Sequence, residues 1–264
     1  MSVLEALILG IVQGLTEFLP VSSSGHIELG KALLGTEAAD DLLFTLIVHL
    51  ATTLSILIVF RKDIWELFRN LFTFKWNEGN RYVSFILLSA VPIGVIGVLW
   101  KDEIEQLFEG RLLLVGCMLL VTGLMLLLST LEREKPTGMT WWRAILIGLA
   151  QAIAIMPGIS RSGMTISSAL ALGVSREEAA RFSFLMVLLP IVGGSLLMLK
   201  DHWEEPATTQ SENLPLLVGF IAAFLSGWLA CQWMLRIVKK GKITWFSGYC
   251  FIVGTIAIGA ALMN

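Results

Sequence analysis

Two short stretches place ionisable and hydroxyl side chains among glycine and proline inside apolar sequence. The first, Gln13–His26, contains an acid, three consecutive serines and a histidine. The second, Pro157–Thr165, contains an arginine between two serines. A carboxylate or imidazole can move a proton, a serine hydroxyl can attack an electrophile, and an arginine can neutralise an anion. The residue types therefore indicate chemistry on a negatively charged group.

The first stretch is interpreted from its spacing. Gln13 and Glu17 are four residues apart and share one face of a helix. An acid such as Glu17 within apolar sequence is a functional candidate, although an interfacial carboxylate at the end of a short helix is the structural alternative. His26 could equally be a satisfied core histidine, and the serines 22–24 could be a helix cap.

The second stretch is built around Arg161. An arginine at membrane depth costs several kcal/mol unless it has a partner, which could be a phosphate bound in a fork or the carboxylate of Glu17. Gly158 allows close approach of a ligand, and a helix predicted to start near Gly163 would present its N-terminal amides to an anion. A second such helix is predicted to start near His26. Two helix N-termini, one arginine and many hydroxyls predict a diphosphate pocket, with these phosphate ligands: Ser22, Ser24, Gly25, Ser160, Arg161, Ser162, Gly163 and Thr165.

The composition indicates where these stretches lie. Of the 264 residues, 56% are hydrophobic and 15% are charged, with a mean hydropathy of +0.78. Soluble domains carry about 25% charged residues, so a lipid bilayer is the expected solvent. The net charge of −2 gives no electrostatic case for nucleic acid. The three cysteines are scattered in apolar runs and are interpreted as core residues.

Six apolar runs are long enough to cross a membrane, and two more are interrupted. The predicted spans are Leu42–Phe60, Tyr82–Trp100, Leu112–Leu131, Phe182–Leu199, Leu214–Leu235 and Ile243–Met263. The interrupted runs contain the two stretches described above, where proline and glycine break the helix. We predict that each forms a re-entrant helical hairpin, because irregular backbone is tolerated at membrane depth only inside protein or beside a wet cavity.

The basic residues predict an orientation. With six spans and two non-crossing hairpins, one set of loops carries fourteen Lys and Arg residues and the other carries four. Since basic loops face the cytoplasm, both termini are predicted on the outer side.

The two halves of the chain resemble each other at one constant offset, without a gap. Gln13 then corresponds to Gln151, and the pair Ser22 and Ser24 corresponds to Ser160 and Ser162. Residues 1–131 would form one repeat with hairpin 2–35, and residues 140–264 would form the other with hairpin 142–173. Each half has three spans, so the second is inserted upside down. The fold class predicted is therefore an all-α polytopic membrane protein, with six spans, two re-entrant hairpins and an inverted-topology repeat in one membrane domain.

The two stretches resemble the signature motifs of the undecaprenyl-diphosphate phosphatase family, also called the bacitracin-resistance family. Gln13–His26 resembles the first motif and Pro157–Thr165 the second, and the resemblance covers the whole chain. The first acidic position of the family motif is a glutamine here, Gln13, and His49 stands where glutamine is common in relatives. His49 is therefore treated as a candidate neighbour of the pocket.

The resemblance implies hydrolysis of undecaprenyl diphosphate to undecaprenyl phosphate and inorganic phosphate in the bacterial inner membrane. It implies a site open to the outer, periplasmic side, and a divalent cation, magnesium or calcium, for which Glu17 and Gln13 are the candidate ligands. It also implies roles in recycling the lipid carrier for cell-wall synthesis and in bacitracin resistance. Whether the protein forms a homodimer is left open.

Roles follow for four candidate catalytic residues: Ser23, His26, Glu17 and Arg161. Ser23 would be the nucleophile, His26 the general base or acid, and Arg161 the phosphoryl clamp. Glu17 would orient His26 or hold the cation. Direct attack by water, with Ser23 only a phosphate ligand, remains the alternative. A transporter or flippase for an anionic lipid is the rival function, because inverted repeats and broken helices are also transporter architecture.

Overall fold

A computed structural model describes residues 1–34, 42–73, 76–100, 103–104, 106–108, 111–129, 137–204 and 213–263. Within these ranges the chain is helical apart from short turns and one isolated β-bridge, between Thr137 and Val174. A 3-10 turn lies at Gln106–Phe108. The twelve described α-helices are α1 Val3–Phe18, α2 Ser23–Leu34, α3 Leu42–Val59, α4 Arg61–Leu71, α5 Glu78–Leu99, α6 Leu112–Leu128, α7 Trp141–Ile153, α8 Arg161–Ala171, α9 Arg176–Met186, α10 Leu188–Glu204, α11 Asn213–Lys239 and α12 Trp245–Met263.

The apolar character of these helices is that of a polytopic membrane protein. Four segments of the described chain are long and apolar enough to cross a bilayer: Glu78–Leu99, Arg176–Leu197, Asn213–Lys239 and Trp245–Met263. Many large apolar side chains point outward, including Val98, Leu229 and Ile256, which are 60% exposed or more. In water such a surface would drive aggregation, whereas in lipid tails it carries no penalty.

The other predicted spans differ from these four in shape. The run predicted to end at Phe60 forms α3, which meets α4 at an angle of 78°. Helix α4 buries none of its residues and exposes Trp65 and Phe68. Helix α6 has 17 residues, fewer than the roughly 20 that a straight span requires, and the predicted extension to Leu131 lies outside the described residues.

Glycine contacts show how the first half packs on the second. Helix α1 packs mainly against α11, and α7 packs against α5. A Cβ on Gly10 would lie 2.5 Å from the carbonyl oxygen of Gly219 in α11, and one on Gly148 would lie 2.5 Å from that of Ser89 in α5. Both helices therefore need glycine to approach their partners, and the two glycines occupy corresponding positions in the predicted repeat.

Candidate active site

The two predicted breaks lie where α2 and α8 begin. Helix α2 starts at Ser23 and α8 at Arg161, which is two or three residues before the predicted starts. The hydroxyl of Ser22 accepts a hydrogen bond from the Gly25 amide at 3.2 Å, and that of Ser160 accepts one from the Gly163 amide at 3.1 Å. Both serines are almost fully buried. Each serine thus acts as the N-cap of its helix. The remaining amides of the first turn have no partners within the helix.

The two caps are built alike but close their turns differently. The hydroxyls of Ser22 and Ser24 are 3.2 Å apart, and those of Ser160 and Ser162 are also 3.2 Å apart. The left-handed backbone needed by each turn falls on Ser22, with φ of 70°, in the first hairpin and on Gly158, with φ of 93°, in the second. A non-glycine residue with positive φ is uncommon and is typical of strained functional segments.

Direct contacts bring the two hairpin turns together. The Ser162 hydroxyl donates to the carbonyl oxygen of Leu19 at 3.2 Å. A Cβ on Gly25 would lie 3.2 Å from the Gly158 Cα, and one on Gly163 would lie 3.2 Å from the Pro20 Cβ. The N-terminal ends of α2 and α8 are therefore neighbours, so their positive dipole ends act on one region.

A charged network occupies this meeting point. Glu17, at the C-terminal end of α1, accepts a hydrogen bond from Arg161 Nη2 on Oε1 at 2.7 Å. Its other oxygen, Oε2, accepts from Ser23 Oγ at 2.7 Å and from Gln13 Nε2 at 2.9 Å. The Glu17 side chain is 4% exposed, while that of Arg161 is 25% exposed. The structure thus joins Glu17, Ser23 and Arg161, which come from both hairpins.

This network can position a nucleophile beside a phosphate. Ser23 donates its hydroxyl hydrogen to a carboxylate, so the oxygen lone pairs are free to attack and the proton has an acceptor. Arg161 has five N–H donors, and its partial exposure leaves part of the guanidinium available to an anion. Glu17 offsets the cost of burying the arginine charge and fixes its orientation.

Of the two roles expected for Glu17, to orient His26 or to hold the cation, the first is not found, because His26 has other partners. Its Nδ1 lies 2.8 Å from the carbonyl oxygen of Ser22, and its Nε2 lies 2.7 Å from the hydroxyl of Tyr249 in α12. A carbonyl can only accept, so Nδ1 carries the proton and Tyr249 donates to Nε2. The predicted orientation of His26 by Glu17 is therefore not the arrangement found, because the Glu17 oxygens bond to other groups. His26 is held by Tyr249, whose ring is nearly parallel to the imidazole.

The contact of Tyr249 with His26 leads to a prediction. Tyr249→Phe removes the hydroxyl donor but keeps the ring, so the imidazole should lose its fixed orientation and kcat should fall roughly tenfold or less. Steady-state phosphate release, the activity that the resemblance predicts, measures this effect in the purified variant. Equal kcat values for Tyr249→Phe and the parent protein would show that the hydrogen bond does not serve the reaction.

The remaining predicted residues lie at the edges of the network. Thr165 is buried, and its hydroxyl donates to the carbonyl oxygen of Arg161 at 2.9 Å. His49 Nδ1 lies 2.8 Å from the Thr45 carbonyl oxygen one helical turn earlier. Gln13 is fully buried, and its Oε1 has no hydrogen-bond partner among the described residues.

Two residues that support the site were missed by sequence reasoning. Thr122 in α6 donates to the Gly158 carbonyl oxygen and accepts from the Ser160 amide, both at 3.1 Å, and so ties the second turn to a neighbouring helix. Tyr249 orients His26. No local motif marks either residue. Each is an isolated polar residue in an apolar run that is far in sequence from the two signature stretches.

Taken with the apolar helices, the site defines a class of protein: a polytopic helical membrane protein in which a serine, a glutamate and an arginine meet where two helix N-termini lie side by side. A family model for the bacitracin resistance protein BacA matches residues 6–256. The chain belongs to this family.

Curated relatives extend the match to the full length of the chain. A protein of Parabacteroides distasonis is 50% identical over 266 residues, covering 100% of both chains. One from Christiangramia forsetii is 49% identical over 261 residues, covering 98% of each. A third, from Methanobrevibacter smithii, is 37% identical over 280 residues, covering 100% of this chain and 99% of its own. All three are named undecaprenyl-diphosphatase.

Proposed function

We propose that this protein is a membrane phosphatase that hydrolyses undecaprenyl diphosphate to undecaprenyl phosphate and inorganic phosphate, thereby recycling the lipid carrier of cell-wall synthesis. The observation that carries the proposal is the network of Ser23, Glu17 and Arg161. It joins a nucleophilic hydroxyl, a carboxylate that can accept its proton and a positively charged guanidinium. The names of the full-length relatives support the same substrate.

In the proposed reaction, the Ser23 hydroxyl oxygen attacks the terminal phosphorus of the diphosphate. Its proton passes to Glu17 Oε2, to which it is already hydrogen-bonded at 2.7 Å. The bond from that phosphorus to the bridging oxygen breaks, and undecaprenyl phosphate leaves with the bond's electron pair. Water then attacks the phosphoserine phosphorus, the bond from that phosphorus to Ser23 Oγ breaks, Glu17 returns its proton to Ser23 Oγ, and inorganic phosphate is released. Direct attack by water on the substrate is the competing route.

Charge neutralisation is assigned to Arg161 and the helix ends. Phosphoryl transfer depends mainly on positioning and on electrostatic stabilisation of the phosphoryl oxygens. Arg161 and the amides that begin α2 and α8 provide fixed positive ends, while Ser24 and Ser162 add hydroxyls. Ser22 and Ser160 support this arrangement as buried caps.

His26 is proposed as the acid–base group of the second step. Ser23 and His26 are three residues apart in α2, so their side chains share a helix face. The Ser22 carbonyl fixes the imidazole as the tautomer that is protonated on Nδ1, and the Tyr249 hydroxyl then donates to Nε2. In the second step the attacking water would replace the Tyr249 hydroxyl as the donor to His26 Nε2, which would accept the water's proton.

A divalent cation would have to be held largely by the substrate. Among the described residues there is no group of three His, Cys, Asp or Glu side chains spaced for a metal ion. The unpartnered Gln13 Oε1 and the Glu17 carboxylate are oxygen ligands of the kind that magnesium and calcium prefer. This donor set fits a cation that takes its other ligands from phosphate oxygens. Such a cation would supply charge neutralisation on the diphosphate.

The proposal includes six spans, two re-entrant hairpins and an inverted repeat. Supporting it, α1 packs on a helix of the second half and α7 on the equivalent helix of the first. The two capping serines, Ser22 and Ser160, also make matching bonds at corresponding positions of the two repeats. The fourteen-to-four distribution of basic residues supports termini and an active site that face the periplasm.

A labelling experiment tests this orientation. Single cysteines are introduced at Glu66 or Lys240, proposed to be cytoplasmic, and at Ser2 or Glu103, proposed to be external; all four positions are exposed. The background lacks the native cysteines. In intact cells, a membrane-impermeant thiol reagent should label only the external pair, while permeabilised cells should show labelling at all four. Labelling of Glu66→Cys but not of Ser2→Cys in intact cells would show that the orientation is the opposite of the one proposed.

Growth complementation tests the function in cells. Expression in a bacterium depleted of its own undecaprenyl-diphosphatases should restore growth and raise tolerance to bacitracin, and an Arg161→Ala variant expressed at the same level should do neither. A flippase without phosphatase activity would leave undecaprenyl diphosphate to accumulate. Accumulation of that lipid despite normal expression would therefore favour transport over hydrolysis.

A further inference from the structure

A small cavity lies beside the Glu17–Arg161 ion pair. Its volume is about 10 Å³, and its polar lining includes Glu17, Arg161, Thr165, Gln151 and Ser183. The last two come from the second half of the chain and lie outside the two signature stretches. The cavity has about the volume that one water molecule requires.

Gln151 and Ser183 bring unused hydrogen-bonding groups to this cavity. Gln151 is 0% exposed and Ser183 is 3% exposed. Within the part of the chain that the structure describes, neither end of the Gln151 amide nor the Ser183 hydroxyl has a hydrogen-bond partner. Buried polar groups are nearly always satisfied, and an ordered water is the usual solution where protein partners are lacking.

We propose that one ordered water molecule occupies this cavity and that Gln151 and Ser183 hold it against the Glu17–Arg161 pair. Gln151 and Ser183 are then positioning residues, which act on the reaction through Arg161. The lining groups offer the water both acceptors, at Gln151 and Glu17, and donors, at Arg161 and Gln151. This inference rests on the proposed function, since it concerns the arginine assigned to the phosphoryl group.

The comparison of Gln151 with Gln13 supports a role for Gln151 beyond packing. Gln13 and Gln151 occupy corresponding positions in the predicted repeat, and both are fully buried. Gln13 bonds directly to Glu17 at 2.9 Å. Gln151 lines the cavity beside the same carboxylate and has no direct bond to it, so a water would complete the contact.

The proposed water would orient the guanidinium of Arg161. Among the described side chains, only the carboxylate of Glu17 ties the guanidinium in place, through Nη2, and the arginine side chain is 25% exposed. A water hydrogen-bonded to Arg161 from this cavity would hold the guanidinium at a second point, in addition to Glu17, and so fix its plane. Small misplacements of a positioning group can cost large factors in rate.

A matched pair of serine variants tests the proposal. Ser183 and Ser167 are both almost fully buried, and neither hydroxyl has a partner among the described residues, but only Ser183 lines the cavity. Ser183→Ala should lower kcat roughly tenfold, the effect of losing one hydrogen bond in a charged network, while Ser167→Ala should keep the parent kcat. Both variants should keep the parent thermal midpoint in detergent.

A second comparison separates positioning from structure. Gln151→Leu should lower kcat by at least as much as Ser183→Ala, and the loss should largely disappear in an Arg161→Lys background, because the water acts through Arg161. Parent-like kcat in Ser183→Ala and Gln151→Leu, with an active parent enzyme, would overturn the inference alone. Losses that persist unchanged in the Arg161→Lys background, or that Ser167→Ala shares, would also overturn it. An inactive parent enzyme would instead contradict the proposed function.

Discussion

Arg161→Lys is expected to lose most of the phosphatase activity, on the order of 100-fold in kcat. Lysine keeps the positive charge but cannot form the planar fork that contacts Glu17 and a phosphate together. The ion pair at 2.7 Å and the position of Arg161 at the start of α8 place that fork beside Ser23. Phosphate release by the purified variant, compared at equal thermal stability, measures the loss.

The control for this prediction is Arg181→Lys. Arg181 also pairs with a carboxylate at 2.7 Å, that of Asp63. The cavity that these two residues line is separate from the one at Glu17 and Arg161. This variant should keep nearly normal turnover. Near-normal turnover by folded Arg161→Lys would mean that the fork does not hold phosphate.

Ser23→Ala is expected to reduce turnover to background while substrate still binds, because it removes the nucleophile but leaves Arg161 and the helix ends. Ser84→Ala, which removes a hydroxyl that donates to the Asn80 carbonyl oxygen within α5, should be silent. Ser23→Cys should keep some turnover or trap a phosphorylated intermediate. Appreciable turnover by Ser23→Ala would favour direct attack by water.

The same site predicts that the losses are not additive. Ser23 and Arg161 share Glu17 as a hydrogen-bond partner, so they act as one unit on the phosphoryl group. The double variant Ser23→Ala with Arg161→Ala should therefore be little worse than the poorer single variant. Fully additive losses would indicate that the two residues serve separate sites.

Much of the site was predictable because its residues are adjacent in sequence. The breaks at Pro20 and Pro157 follow from local chemistry, and the alignment of Gln13 with Gln151 predicted that the two hairpins correspond. An arginine in an apolar segment also needs a partner, and Glu17 is that partner. These predictions rest on rules that act over a few residues or on an internal repeat.

Long-range partners were not predictable in the same way. Tyr249 reaches His26 across 223 residues, and nothing in its own sequence neighbourhood indicates the contact. The bond from Ser23 to Glu17 depends on how sharply the chain turns between α1 and α2, where Ser22 takes a positive φ. The bend after Val59 likewise arises where an apolar helix meets the amphipathic sequence of α4, rather than at a proline or glycine.

The most direct test of the account is phosphate release from undecaprenyl diphosphate by the purified, detergent-solubilised protein. The parent protein should release one inorganic phosphate per lipid and leave undecaprenyl phosphate, whereas Arg161→Lys should release it far more slowly and Ser23→Ala only at the background rate. Release of no phosphate by a folded preparation supplied with magnesium or calcium, or equal release by all three proteins, would contradict the proposed function.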